Sequence, residues 1–142
     1  MLRLTRQADY GVLLLAHLAR SGELLRADEL AGRTGLPLPT VRKVLKLLSR
    51  AGILESRRGP RGGFALAAPA ENLSLAAVVS AFEGPTGLTE CSTQRGACRY
   101  EPGCPVAGPL QRLNATIQRT LARTTLSELV APRTGTHRHE AH

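Results

Sequence analysis

ELAGRTGLPLPTVRKVLKLLSRAGILESRRGPRGGFAL, residues 29–66, carries most of the information about the fold. A short helix over residues 27–34 must stop at Gly35-Leu36-Pro37, because glycine supplies a left-handed cap and proline cannot continue the helix. The next helix opens with Pro39 in its first turn. Within it Val41, Val44, Leu45 and Leu48 recur at i, i+3, i+4 and i+7, a single apolar stripe, while Arg42, Lys43, Lys46 and Arg50 take the other side. Two helices joined by a tight glycine-containing turn form a helix-turn-helix. Ala51-Gly52 ends the second of them, and residues 53–58 and 64–67 read as two short strands joined by Gly59-Pro60-Arg61-Gly62-Gly63. The product is a hairpin with Arg61 at its tip and Arg57 and Arg58 at its shoulder, the form of a wing. Its glycine-rich turn is not a nucleotide cradle, since no Lys-Ser/Thr follows and the chain continues into a strand rather than a helix.

Working outward, the sequence predicts a helix over residues 5–20, with Thr5 as its N-cap and Ser21-Gly22 as its stop. Arg3 and Arg6 precede the apolar run GVLLLA (residues 11–16), a superficial likeness to a signal peptide. Asp9 and His17 bracket that run, no small-x-small cleavage site follows, and Tyr10, Leu13, Leu14 and Leu18 recur at helical spacing, so it is read as a helix of the fold. No stretch has the length needed to span a bilayer. Downstream, Asn72-Leu73-Ser74 opens a helix over residues 75–83, apolar enough to pack beneath the wing, and Gly84-Pro85 closes it. Val106, Leu110, Leu113, Ile117 and Leu121 are then spaced by four, three, four and four. That seam suits a coiled-coil-like contact between two copies, and a helix folded back on its own domain leaves the same pattern. Residues 126–130 add one more turn, and the terminal PRTGTHRHEAH is polar and expected to be disordered.

Composition agrees. The chain has 142 residues, 42% of them hydrophobic, and its aromatics are only Tyr10, Phe64, Phe82 and Tyr100, so Leu, Val and Ala must fill the core and a mostly α fold is expected. The organisation implied is a single domain over residues 1–131: a winged helix-turn-helix with a short β-hairpin wing (1–68), a linker helix and cysteine-bearing loop (69–105), and a long C-terminal dimerisation helix (106–131), followed by a tail at 132–142. The net charge of +8 is uneven. Residues 1–70 hold twelve Lys/Arg against five Asp/Glu, whereas residues 71–142 hold seven against six. A basic module beside a neutral one suggests a polyanion partner, and a solvated basic surface would carry the same charge. Lys43, Lys46 and Arg61 are placed to meet phosphate. No nucleophile–base constellation and no catalytic carboxylate pair is present, which argues against an enzyme.

The three cysteines, Cys91, Cys98 and Cys104, lie within fourteen residues in ECSTQRGACRYEPGCPV, a stretch with Gly96, Pro102, Gly103 and Pro105 and no sustained period. It reads as a loop that needs a ligand to order it. Thiolates so gathered suit an iron–sulfur cluster or zinc. The Cys-x6-Cys-x5-Cys spacing lacks the close pair of structural zinc knuckles. Thiol-only redox switching and unrelated buried cysteines remain open on the residues alone. With three thiols a cluster requires a further ligand, for which Asp9, Glu90, Glu101 and His17 are candidates. An odd cysteine count argues against an extracellular disulfide framework, so the cytoplasm is the expected compartment.

LTRQADYGVLLLAHLA (residues 4–19), the stretch quoted at the outset, EGPTGLTECS (83–92), CPV (104–106) and TLSELV (125–130) together resemble the Rrf-two family of winged-helix regulators, IscR-like and NsrR-like, and are most similar to its SUF-system iron–sulfur cluster assembly regulators. The likeness covers about residues 1–131. It implies a homodimer with crossing C-terminal helices, a palindromic double-stranded DNA operator, and a cluster near the partner's first helix. Carried over by position, Cys91, Cys98 and Cys104 would be cluster ligands, and Pro39, Thr40, Arg42 and Arg58 would read DNA. Arg42 suits that role because a guanidinium bonds bidentately to guanine. IscR-like members have a His three residues after the last cysteine, where this chain has Ala107; NsrR-like members use an Asp in the first helix, which corresponds to Asp9. The resemblance therefore implies Asp9 as the fourth ligand and a cluster of either type, with [2Fe-2S] placed ahead of [4Fe-4S]. A first-turn carboxylate favoured by the helix dipole is the competing account of Asp9. The implied function is an iron–sulfur-sensing repressor of cluster-assembly genes, with a nitric-oxide or redox-sensing repressor, or a zinc-stabilised DNA-binding protein, as the alternatives.

Overall fold

A computed structural model describes residues 3–132. The elements run α1 (Arg6–Ser21), α2 (Ala27–Thr34), α3 (Leu38–Arg50), β1 (Leu54–Arg57), β2 (Gly63–Leu66), a 3-10 turn (Ala70–Asn72), α4 (Leu75–Glu83), α5 (Glu90–Thr93), a second 3-10 turn (Glu101–Gly103), α6 (Ala107–Arg123) and α7 (Leu126–Val130). The tail expected at 132–142 lies, apart from Pro132, outside the described residues.

Local chemistry sets the boundaries. Thr5 caps α1, its hydroxyl accepting from the Ala8 amide at 3.2 Å, and Gly22 ends it with φ 65°. Gly35 ends α2 in the same left-handed way. Pro37 stands at the N-cap of α3 and Pro39 in its first turn, where the missing amide hydrogen is not required. β1 and β2 pair antiparallel, Leu54 with Leu66 and Arg57 with Gly63, and close the wing.

The core forms where the stripes meet. Leu14, Leu15 and Leu18 of α1, Leu30 of α2, and Val41, Val44, Leu45 and Leu48 of α3 are buried together with Leu25, Ile53, Leu54, Val78 and Leu126. Helices α1 and α4 approach so closely that a Cβ on Gly11 would lie 2.5 Å from the Phe82 ring. The amide of Thr5 also reaches across to Glu83 Oε1 at 2.7 Å, joining the start of α1 to the end of α4. The expectation that residues 75–83 pack beneath the wing is corrected: α4 lies chiefly against α1, α3 and α6. Its sequence is apolar nearly all round, so no stripe points to one neighbour.

The C-terminal end returns to the N-terminal unit. Leu75 N donates to Thr124 O and Leu126 N donates to Leu73 O, both at 2.8 Å, and α7 packs on α1 with Leu126 in the core. Residues 88–105 differ from the expected unstructured loop. Thr89 caps the four-residue α5 by accepting from Ser92 N, and Glu101–Gly103 forms a tight turn, so part of the order is local.

Candidate functional site

The cationic face follows from the α3 stripe. With Val41, Val44, Leu45 and Leu48 committed to the core, Arg42, Lys43, Lys46 and Arg50 stand exposed on the opposite side. Pro39 is exposed at the start of this face and Thr40 is half-buried beside it. Arg57, Arg58 and Arg61 are exposed on the wing, which joins α3 through Ile53. Among the described residues the only ion pair is Arg26 Nε to Asp28 Oδ1 at 3.6 Å, so none of these cations is neutralised by a carboxylate. The wing is held against the rest of the unit by Leu25 and Phe64, whose backbones bond to one another. A groove of about 310 Å³ runs beside it, lined by Arg26, Ser56, Arg57, Arg58 and Phe64 among others.

All three thiols are free. Cys91 is buried in α5 with its sulfur 3.2 Å from Thr89 Oγ1; Cys98 and Cys104 are half-buried. Cys98 O accepts from Glu101 N, and Cys104 N donates to Glu101 O, so these two cysteines wrap the second 3-10 turn. Three reduced thiols are a donor set that fits an iron–sulfur cluster or zinc. Among the described residues, however, no three His, Cys, Asp or Glu side chains stand together around one point, so convergence of the sulfurs requires movement within the segment. Asp9 is exposed in the first turn of α1 and is not gathered with them in the protomer. Of the other fourth-ligand candidates, Glu101 has both oxygens engaged, Oε2 with Gly96 N at 2.8 Å and Oε1 with Gln111 Nε2 at 3.1 Å. Glu90 is exposed and His17 half-buried.

Helix α6 resolves the ambiguity of the apolar seam in an unexpected way. It does fold onto its own domain, against α4 and α5, but the face it uses is in part polar. Asn114, the one buried polar residue among those described, accepts from Leu88 N at 3.2 Å and donates to Ser92 O at 3.4 Å. Gln111 Nε2 donates to Cys91 O at 3.3 Å, and Gln118 Nε2 donates to Thr86 O at 3.3 Å. These amides fall at i, i+3 and i+7, and each follows a seam residue, Leu110, Leu113 or Ile117, by one position. The two stripes therefore lie about 100° apart. The seam is only partly covered: Val106 is 52% and Leu113 51% exposed, while Leu110, Ile117 and Leu121 are half-buried, the last two lining a groove of about 410 Å³ that also takes in Val79 of α4 and Leu4. The amide stripe was missed from sequence. Its signal was three carboxamides at helical spacing on a helix following a cysteine-rich segment.

Residues 4–132 match the family model Rrf2, described as an iron-dependent transcriptional regulator. A protein of Neisseria meningitidis provisionally named an HTH-type transcriptional regulator is 29% identical over 131 residues, covering 91% of this chain and 88% of the relative. Protein aau3 of Rhizobium meliloti is 35% identical over 124 residues, covering 84% of this chain and 75% of that protein. Among solved structures, CymR, the global cysteine regulator of B. subtilis, superposes with a TM-score of 0.76 at 20% identity, covering 92% of this chain and 97% of CymR. IscR of T. potens superposes at 0.70 and 21% identity, covering 91% and 86%. At these identities the structural likeness speaks for the winged-helix fold alone. The family match spans nearly all of the described chain, and the exposed cationic face of α3 and the wing agrees with it: the protein belongs to the Rrf2 family, whose members are DNA-binding transcription regulators and not enzymes.

Proposed function

We propose that this protein is an iron–sulfur-responsive repressor of cluster-assembly genes, acting as a homodimer on a palindromic operator in the cytoplasm, where thiols stay reduced. The observation that carries this reading is the placement of three free thiols on one segment that is hydrogen-bonded to α6 beside an exposed apolar ridge. Cys91, Cys98 and Cys104 would hold the cluster, with Asp9 of the other protomer's first helix as the fourth ligand. A bound cluster, [2Fe-2S] ahead of [4Fe-4S], would supply iron and sulfide that react with oxidants and nitric oxide, and the non-thiolate ligand would be the easier one to lose. The exposed Val106 and Leu113, flanked by the half-buried Leu110 and Ile117, form the dimer contact, because leaving their exposed part in water forfeits about 25 cal/mol for each Å² of apolar surface. On DNA, Pro39, Thr40, Arg42 and Arg58 meet base edges, while Lys43, Lys46 and Arg61 meet phosphate and fix register. The test is anaerobic purification followed by an absorption spectrum with iron and sulfide assays. A colourless chain without iron or sulfide would sink the reading.

A thiol-based redox or nitric-oxide response without a resident cluster is the second reading. It is favoured by Cys98 and Cys104, free thiols that are only half-buried and so within reach of an oxidant. Reversible loss of operator binding on mild oxidation of iron-free protein would support it, and stoichiometric zinc would indicate the structural alternative.

A further inference from the structure

Gln111 touches both halves of the cysteine segment with a single side chain. Its Nε2 carries two N–H groups, and they go to two different acceptors: the carbonyl of Cys91 at 3.3 Å and Glu101 Oε1 at 3.1 Å. The first acceptor belongs to α5, which holds Cys91. The second belongs to the 3-10 turn around which Cys98 and Cys104 are wrapped. Glu101 passes the connection on, since its other oxygen accepts from Gly96 N at 2.8 Å, two residues before Cys98. Asn114, by contrast, bonds only to Leu88 and Ser92, on the Cys91 side. Asn114 thus anchors α5, while Gln111 spans from α5 to the turn.

Geometry gives this joint a second consequence. Because the joint ties both α5 and the Glu101 turn to α6, the sulfurs, which among the described residues do not meet at one point, have only the segment between these two ties in which to move. A neutral carboxamide suits the position because it must donate twice. A carboxylate there would face Glu101, and an apolar side chain would leave the Cys91 carbonyl without this partner.

We propose that Gln111 is a positioning residue that keeps α5, with Cys91, and the turn between Cys98 and Cys104 together on one face of α6, so that movement within the segment can bring the three sulfurs to a common centre. This rests on the reading of the three cysteines as a common ligand set, and the experiment separates the two. Reduced, metal-free protein is titrated anaerobically with cobalt(II), whose thiolate-to-metal absorption reports how many sulfurs reach one centre. Iron and sulfide content after cluster reconstitution is measured in parallel. Three proteins are compared: wild type, Gln111→Met, which keeps length without a donor, and Gln111→Lys, which restores donors. Circular dichroism and melting temperature serve as controls for the fold.

The expected result is that Gln111→Met keeps its helical spectrum but binds cobalt at least tenfold more weakly, with fewer thiolates ligating and less iron retained, and that Gln111→Lys recovers most of this. A Gln111→Met protein that matches wild type in cobalt affinity and thiolate count overturns the positioning role while the cysteine reading stands. Equal losses in Gln111→Met and Gln111→Lys also overturn it, because the defect then follows from altered packing and not from the lost donor. Wild type that binds neither cobalt through thiolates nor a cluster overturns both. Should Gln111→Met fail to fold, Gln111→Glu keeps the length, removes both donors and sets a carboxylate against Glu101, and is expected to show the same cobalt defect; wild-type behaviour there overturns the proposal.

Discussion

Leu25 and Phe64 exchange two backbone hydrogen bonds, Leu25 N to Phe64 O at 3.0 Å and Phe64 N to Leu25 O at 2.8 Å, which make the segment before α2 a third, one-residue rung of the wing. The rung needs Gly63 beside it. A Cβ there would lie 2.9 Å from Leu25 O, and the backbone φ is 153°. Gly63→Ala should therefore lower stability by about 1–3 kcal/mol, within the range of strained-backbone substitutions, and loosen the wing. Urea denaturation together with operator titration checks this; an unchanged midpoint with unchanged affinity would count against the rung as a support of the wing.

On DNA the two classes of cation should separate. Lys46→Ala is expected to flatten the plot of log K against log salt by about 0.9, one phosphate contact's worth. Arg42→Ala should instead relax sequence preference at a cost of roughly 1–3 kcal/mol. Binding isotherms on operator and random duplexes across a salt series distinguish these outcomes.

Leu113 is the cleaner probe of the α6 ridge because it is half exposed in the protomer and contributes little to the protomer's own packing. Leu113→Asp should leave thermal unfolding of the protomer nearly unaltered and abolish the dimer, since a carboxylate would be buried there without a partner. Sedimentation velocity showing an intact dimer would place the contact elsewhere.

Asn114 is expected to behave in the opposite way. Asn114→Leu conserves volume but deprives Leu88 N and Ser92 O of their partners, and each buried orphan costs about 1–3 kcal/mol. Chemical denaturation should show the loss, accompanied by faster alkylation of the now less buried Cys91.

Cys98→Ala should keep the helical circular dichroism, because the core stripes of α1 to α4 do not include the cysteine segment, and should lose any visible chromophore. Its operator affinity is expected to differ from that of cluster-loaded wild type by at least tenfold, about 1.4 kcal/mol. Equal affinities at one salt concentration would falsify the switch, since a ligand without preference between two states shifts neither.

What could be read from sequence tracks what has a period. Val41, Val44, Leu45 and Leu48 specify α3 and its cationic back because a buried helix face repeats every 3.6 residues. Thr5 and Gly22 are visible as caps for local reasons that need no tertiary contact. Asn114 and Gln111 were invisible to the same reasoning: hydrophobic periodicity marked Val106, Leu110, Leu113, Ile117 and Leu121, while the amides that tie α6 to the cysteine segment pair mostly with backbone groups far away in sequence. Thr89 building a four-residue helix is too short an event for any period. Cysteine spacing likewise says that three sulfurs share a segment, not in which directions they lie.

The paired bonds from Leu75 to Thr124 and from Leu126 to Leu73 close the chain on itself around α4, the cysteine segment and α6. Seen from the winged unit, the cysteine segment and α6 are a single excursion that leaves from the end of α4 and returns at this closure, and Leu126 arriving on the far side completes the core. A truncation before Leu126 would consequently damage the DNA-binding half, though no residue touching DNA had been removed. The same closure lets the excursion be rewritten cheaply: lengthening a closed loop costs only about 0.6 kcal/mol per doubling. One winged frame can in this way accept different chemistries between α4 and that closure without refolding around them.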